Sequence, residues 1–197
     1  VYNGADYLHD AIKSTLDQDF EDFEFIIVDD ASTDNSLEVI NTFKDSRIIL
    51  LRNSHNIGQV KSLNRGLKLA SAQYIARLDQ DDINLPSRLR EQHMFLKSNK
   101  NYDLVCSFEH SIDALGNYIC SWESSITDYG QFLGSLLLGL CPVWHPSIMF
   151  RRSIIEKLQG YPEDYPLAED YMLWCLFALN RSNAFIIPKY HVLQRLH

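Results

Sequence analysis

Tyr74-Ile75-Ala76-Arg77-Leu78-Asp79-Gln80-Asp81-Asp82 is the stretch on which the reading of this chain turns. A short apolar run reads as a buried strand, and it ends in three carboxylates within four positions. Like charges crowded at a strand end cost stability unless something cationic sits among them. Hard divalent cations such as Mg²⁺ or Mn²⁺ take oxygen ligands, commonly one or two carboxylates plus substrate phosphates. In open α/β sheets, ligands bind just outside the carboxyl ends of the strands. The stretch therefore predicts a metal–phosphate site at the end of a sheet strand. Asp-x-Asp-Asp alone is a weak signal, and a solvated acidic turn is the plain alternative.

Working outward, strands and helices alternate with short connections. Asn3-Gly4 is a turn and cap signal, and Leu8, Ala11, Ile12, Thr15 and Leu16 then fall on one helical face. A strand over 23–28 ends in Asp29-Asp30, and the capping-rich Ala31-Ser32-Thr33-Asp34 leads into a helix with Leu37, Ile40 and Phe43 inward. A short apolar run over 47–52, a polar loop over 53–58 and a helix marked by Val60, Leu63, Leu67 and Ala70 precede the strand over 74–78. This alternation predicts a doubly wound, mostly parallel sheet with right-handed crossovers. Such a sheet opens with a strand, whereas the first element here is a helix. A first strand truncated at Val1-Tyr2 is the expectation.

Pro86 suits the first turn of a further helix. A strand over 102–108, a hairpin loop over 113–117 and a return strand over 118–120 follow. Helices are expected over 128–139, 152–159 and 169–179, a strand over 146–150, and two extended pieces over 184–187 and 191–196. No linker or internal repeat divides the chain, so one domain over 1–197 is predicted.

The 197 residues are 46% hydrophobic and 22% charged, which fits a globular protein with a real core. A net charge of -8 argues against nucleic-acid binding, which rests on a Lys/Arg footprint. The four cysteines have no C-x-x-C spacing and read as reduced thiols. The longest apolar run, 132–143, is broken by Gly134, Gly139 and Pro142 and is shorter than the ~20 residues a bilayer span needs.

Three carboxylate pairs stand at element ends: Asp29-Asp30, Asp81-Asp82 and Glu169-Asp170. The first two each follow a predicted strand, so both sit on one sheet edge. The third opens a helix, where the macrodipole favours a carboxylate. A helix cap is one reading of it; a general base held near the core is the other.

These segments together resemble family 2 glycosyltransferases with the nucleotide-diphospho-sugar (GT-A) fold. Val1-Tyr2-Asn3-Gly4 is similar to that family's P-x-Y-N-x opening, and 25–34 to its V-D-D-x-S-x-D segment. Asn56-Ile57-Gly58 with Asn64-Arg65-Gly66 resembles its N-x-G and following helix. Leu78 to Asp82, with Pro86 and Arg88-Leu89, resembles L-D-x-D-D…P-x-R-L. His145-Pro146-Ser147, Phe150-Arg151-Arg152, Gly160-Tyr161 and Glu169-Asp170-Tyr171 resemble the acceptor-side run, and 194–197 the closing Y-R-x-H. The likeness covers the whole chain in order.

The resemblance implies a single Rossmann-like GT-A α/β domain, with a nucleotide-sugar half over 1–108 and an acceptor half over 109–197. It implies that Tyr2 lies against the nucleotide base and Asp30 hydrogen-bonds its edge, with Asn3, Asn56 and Lys61 near the donor. Asp79 would contact the ribose or sugar. Asp81 and Asp82 would bind Mn²⁺ or Mg²⁺, with His197 as a further ligand. Asp170 would be the general base, and His145 and Glu169 would line the acceptor side. The implied reaction is inverting transfer from a nucleotide-diphosphate sugar, UDP-linked in first place, to a saccharide or lipid-linked acceptor in polysaccharide or lipopolysaccharide synthesis. The Q-x-x-R-W motif of processive members is absent, which favours addition of one sugar. The apolar Cys175-Leu176-Phe177 stands where many members carry an Arg. A cytoplasmic enzyme, peripheral on the inner face of the membrane, is expected. The alternatives are a sugar-1-phosphate nucleotidyltransferase, disfavoured by the lack of a Gly-rich loop and basic residue near Tyr2, and an inactive sugar-nucleotide-binding module.

Overall fold

The structure, a computed structural model, describes residues 1–165 and 167–196. His197, the expected closing metal ligand, lies outside the described residues. The elements, in chain order, are α1 (Ala5–Leu16), β1 (Phe25–Asp29), α2 (Ser36–Thr42), β2 (Ile48–Arg52), α3 (Gln59–Leu69), β3 (Tyr74–Ala76), β4 (Ile83–Asn84) and α4 (Arg88–Ser98). There follow β5 (Leu104–Ile112), β6 (Tyr118–Trp122), α5 (Tyr129–Leu137), β7 (Met149–Arg151), α6 (Arg152–Lys157), α7 (Glu169–Leu179) and β8 (Ala184–Arg195).

The α/β architecture holds, with helices against both faces of the strands. Strand directions depart from expectation. β1 and β2 pair in parallel, and β5 and β8 pair in parallel, but β3–β7, β4–β8, β5–β6 and β5–β7 are antiparallel. The larger sheet, ordered β3-β7-β5-β8-β4 with β6 on β5, is therefore mixed rather than mostly parallel. Parallel neighbours need a crossover of a dozen or more residues, whereas the tight loop between β5 and β6 only permits an antiparallel return. Strands from both ends of the chain interleave in this sheet.

The two extended pieces expected near the end form one strand, β8. Its ladder with β5 jumps from Ser107↔Ile187 to Phe108↔Tyr190, which leaves Pro188 and Lys189 out of register. Pro188 has no N–H to donate, so the irregularity falls where the ladder could not continue. β4 was too short to read in the sequence; it exists because Ile83 and Asn84 pair with Leu193 and Val192 of β8.

The main core lies under α5 and α7. It joins Phe132, Phe150, Leu173, Trp174 and Phe177, all fully buried. A second cluster sits beneath α4, around Leu89, Leu96 and Val105. A third holds α1 and α2 on β1, through Leu8, Ile12, Ile27 and Ile40. Among the described residues, β1 has one strand partner, β2, and β3 has one, β7. A half-open groove of about 1180 Å³ runs between their other edges. At its end, the Val1 nitrogen donates to the Val28 carbonyl (2.7 Å) and the Asp30 N–H donates to the Val1 carbonyl (2.7 Å), one step of a parallel ladder beside β1.

Arg88 joins the pieces. Its guanidinium is fully buried and donates to the carbonyls of Arg77 (2.6 Å) and Ile148 (3.0 Å), to Gln92 (3.2 Å) and to Asn84. One side chain thus ties the ends of β3 and β7 to β4 and α4. Arg88→Ala leaves these acceptors unpaired in the interior, and a loss of about 3 kcal/mol or more is expected. A urea titration of the variant against the parent checks it through the midpoint, with an unchanged midpoint as the contrary result.

Candidate functional site

Two acidic strand ends open onto the groove. At the end of β1, Asp29 is fully buried, accepts from the Ser32 N–H (3.2 Å) and pairs with Arg52 at 3.3 Å. Asp30 is buried and receives three donors: Asn53 Nδ2 (2.7 Å), Ile57 N–H (2.8 Å) and Gly58 N–H (2.8 Å). Burial alone would raise its pKa, but these hydrogen bonds outweigh it and hold the carboxyl below its usual range. Gly58 sits at φ 88°, a conformation that glycine adopts without strain, and this turns its N–H toward Asp30. A carboxylate has about four acceptor positions, so Asp30 organises the 53–58 loop and keeps little capacity for a ligand.

Tyr2 is half exposed at the groove mouth, and its backbone N–H donates to the Gln80 side chain (2.8 Å). This brings the first residues against the acidic loop that follows β3. Asn3 is spent elsewhere: its Oδ1 accepts from the N–H groups of Thr33 (2.8 Å) and Asp34 (3.4 Å). Asp34 in turn accepts from the Ala5 N–H (3.0 Å) and the Ser36 N–H (2.9 Å). The N-terminal ends of α1 and α2 are braced by this exchange. Asn56 lies on the groove wall and accepts from Gly58 N–H (3.1 Å). Lys61 is exposed on α3.

The three carboxylates after β3 have different surroundings. Asp79 is gripped by both terminal nitrogens of the buried Arg77. Asp81 lines the groove, and its carbonyl accepts from Arg195 Nε (3.1 Å). Asp82 is buried and accepts from the Arg195 N–H (2.8 Å). Burial, with repulsion from Asp79 and Asp81, pushes Asp82 up to about 7. β8 therefore pins the loop from behind.

Among the described residues, no three His, Cys, Asp or Glu side chains form a ready cage for a metal. Mg²⁺-type sites completed by substrate phosphates need only one or two protein carboxylates. The crowding that raises Asp82 is what a cation beside these oxygens would relieve. The oxygen-only donor set of Asp81 and Asp82 fits such an ion in kind.

His145, expected on the acceptor side, forms a buried pair with the groove-lining Tyr161 that the sequence did not show. His145 Nε2 and the Tyr161 hydroxyl are 2.8 Å apart, both buried. Burial, followed by the nearby Arg77, holds His145 well below its usual pKa, so it stays neutral. Tyr161 is raised, first by burial; Arg77 opposes the rise, and Asp79, Asp170 and Glu169 add to it. Asn64 of α3 fixes this residue: its Oδ1 accepts from the Tyr161 N–H (2.8 Å) and its Nδ2 donates to the Tyr161 carbonyl (3.0 Å). Gly160 is required beside it, since a Cβ there would lie 2.4 Å from Asn64 Oδ1. The Asn64-Arg65-Gly66 and Gly160-Tyr161 segments were visible in the sequence, but their contact across 97 positions was not. Glu169 and Asp170 begin α7, and Asp170 accepts from the Tyr171 N–H (2.6 Å) with Cys141 Sγ at 4.0 Å.

Comparison with known proteins gives a consistent answer. The family model described as Glycosyl transferase family 2 matches residues 1–159. The glycosyltransferase MJ1057 of Methanocaldococcus jannaschii is 33% identical over all of this chain, which spans 68% of that protein. An Escherichia coli protein, the UDP-Glc:alpha-D-GlcNAc-diphosphoundecaprenol beta-1,3-glucosyltransferase WfaP, is 31% identical over 88% of the chain and 66% of its own length. Staphylococcus aureus TarS 1-349, solved with UDP-GlcNAc, overlays the whole chain at a TM-score of 0.83 with 21% identity, and the chain covers 57% of it. The mannosyltransferase PcManGT from Pyrobaculum calidifontis, solved with GDP-Man and Mn²⁺, overlays 97% of the chain at 0.73 with 20% identity, and the chain covers 54% of it. The chain belongs to glycosyl transferase family 2 and has the GT-A fold.

Behind the acidic loop, Glu109 of β5 is fully buried, and burial pushes it up to about 8 from an ordinary value of 4.5. Between those values the folded chain holds a proton that the unfolded chain has lost. Stability therefore falls as pH rises from about 4.5 to about 8. Glu109→Gln should leave stability near that of the parent at pH 4.5 and exceed it by more than about 1 kcal/mol at pH 8. Denaturant unfolding at the two pH values checks this; a parallel pH profile in parent and variant is the contrary result.

Proposed function

We propose that this family 2 chain is an inverting, metal-dependent, non-processive glycosyltransferase that moves a sugar from a UDP-sugar to a saccharide or lipid-linked acceptor. The observation that carries the reading is the meeting of Asp30, Asp79, Asp81, Asp82 and Tyr161 on the lining of one groove. The UDP-sugars in the TarS structure and in the WfaP name support a uridine donor, and the diphosphoundecaprenol in the latter supports a lipid-linked acceptor. The GDP-Man of PcManGT keeps guanine in the test. Synthesis of a cell-surface glycan at the cytoplasmic face of a membrane suits such an acceptor; among the described residues no helix is long and apolar enough to cross a membrane.

In this reading Tyr2 and the 53–58 loop organised by Asp30 receive the nucleoside, with Asn56 on the wall. Asp79, held by Arg77 in a bidentate pair, presents its outer lone pairs to the ribose or sugar. Asp81 and Asp82 would hold Mg²⁺ or Mn²⁺, which when bound neutralises the diphosphate as a leaving group. Asp170 takes the proton from an acceptor hydroxyl as that oxygen attacks the anomeric carbon. Attack opposite the leaving diphosphate inverts the centre in one step. The neutral His145–Tyr161 pair walls the space between donor and acceptor without adding charge. Asn3 and Lys61 serve at a distance, by bracing α1 on α2 and by surface charge.

Asp170→Asn should abolish transfer and leave UDP binding within about twofold, whereas Asp81→Ala should weaken Mn²⁺-dependent UDP binding about tenfold or more, a loss of ~1.4 kcal/mol. Calorimetric titration with UDP and Mn²⁺, set beside a product assay, separates the roles; equal binding loss in both variants would show them misassigned. A thermal-shift series with UDP, GDP, dTDP and CDP, each with Mn²⁺ and with chelator, tests the donor. A ligand at a hundredfold its Kd adds about 2.7 kcal/mol. One nucleotide should shift the midpoint, and chelator should erase the shift; no shift with any of them would sink the proposal.

A further inference from the structure

A run of aromatic rings leads from the groove wall onto an open face of the larger sheet. Leu104, Cys106 and Phe108 of β5 alternate into the main core, which also holds Trp144 and the groove-lining Tyr161. His110, two residues on, continues the same face. Phe108 meets Tyr190 of β8 edge-to-face at 5.6 Å, Tyr190 stacks on His110 at 3.8 Å, and His110 meets Tyr118 of β6 edge-to-face at 5.5 Å. Polar side chains hold the rings in place. Ser121 Oγ lies 2.8 Å from His110 Nδ1 and 2.9 Å from the Tyr118 hydroxyl, and the Tyr190 hydroxyl donates to Glu123. Tyr118 is 63% exposed and Glu123 is exposed, so the run ends in solvent. In register, His110 stands beside Leu193 of β8, and Leu193 beside Ile83 of β4, the residue after Asp82. His110 is therefore two strand spacings, roughly 10 Å, from the strand that ends the acidic loop.

We propose that this face is a saccharide-binding platform, on which the sugars preceding the reacting hydroxyl of a neutral oligosaccharide acceptor lie against Tyr118, His110 and Tyr190. The inference names the acceptor end of the function proposed above and rests on that reading. Two observations select the ligand. Rings with hydroxyl, imidazole and carboxylate groups at their rims offer an apolar surface to the C–H side of a sugar and hydrogen bonds to its hydroxyls. Residues 101–150 contain no Lys or Arg, and Lys189, next to Tyr190, is turned to Glu91 of α4 (2.9 Å). A phosphate, a nucleic acid or an anionic lipid surface needs cations, which this stretch lacks, whereas a neutral sugar does not. The shared core with Tyr161 puts one end of the platform at the groove, and Tyr118 puts the other on the β5–β6 hairpin. A bound chain therefore runs outward along β5.

The test titrates the isotope-labelled chain with chitotetraose, cellotetraose and glucose, with no nucleotide present, and follows amide shifts by NMR. One tetraose should shift the amides of residues 108–110, 118–123 and 190 and saturate, and glucose should bind far more weakly because it meets a single ring. Tyr118→Ala should weaken binding of that tetraose about fivefold or more, whereas Tyr118→Phe, which keeps the ring, should stay within about twofold of the parent. Both variants should unfold at the parent's midpoint; a loss of binding that tracks a fall in midpoint would make Tyr118 a packing residue and overturn the platform. So would an absence of shifts with either tetraose. So would shifts of the same amides that grow with protein concentration alone, because a second copy would then be the occupant. A thermal shift with UDP and Mn²⁺ but no saccharide binding sinks this inference alone; saccharide binding with no nucleotide shift removes the transfer reading and, with it, the acceptor role.

Discussion

The rest of the structure depends on holding several carboxylates together where the ends of β1 and β3 line one groove. Asp29, Asp30, Asp79, Asp81 and Asp82 all face or flank a single groove, and Glu109 lies buried behind it. Their mutual repulsion is offset by buried guanidiniums from within. Arg77 grips Asp79, and Arg88, its own pKa lowered to about 10 by burial, still feels Glu109 and Asp82. Arg88 spends its donors on backbone carbonyls and amide side chains, so one buried charge serves as both counterion and joint. Burying charge in this way costs stability unless every donor is met, which is why the surrounding acceptors are so specifically placed.

Positioning in the groove is indirect. Asp30 does not reach outward; it collects the 53–58 loop. Asp79 is aimed by Arg77, Asp82 is fastened by the Arg195 N–H, and Tyr161 is clasped by Asn64. Asp30, Asp82 and Tyr161 are fixed by neighbours distant in sequence, and Asp79 by Arg77 two positions away. A site assembled through such braces is rigid because the braces are buried, where an unmade hydrogen bond is expensive.

Much of this was legible in the sequence. The apolar runs ending in acid pairs pointed to β1 and β3, which stand in two sheets rather than on one sheet edge, and the spacing of Leu8, Ala11, Ile12 and Thr15 pointed to the buried face of α1. What could not be read were features made by tertiary pairing. β4 is two residues long and exists through β8. Strand direction in the second half was set by short returns that the alternation rule ignores. Asn3 resembled a donor contact, but local N–H groups at 33–34 claim its oxygen. Asn64 and Tyr161 each looked like an unremarkable member of its own segment, because their meaning lies in the pairing.

β8 lies inside the sheet between β5 and the edge strand β4, although a hundred positions separate Asn84 of β4 from Ala184 of β8. The order of assembly follows from this. Among the described residues β4 pairs with β8 alone, and the hydrogen bond to Asp82 comes from the backbone of Arg195. During synthesis the acidic loop therefore emerges before β8, held at Gln80 by Tyr2 and at Asp79 by Arg77 but not yet at Asp82. Loop closure over that span makes the step slow. A nascent chain thus carries three carboxylates in four positions before the strand that fastens Asp82 has been made.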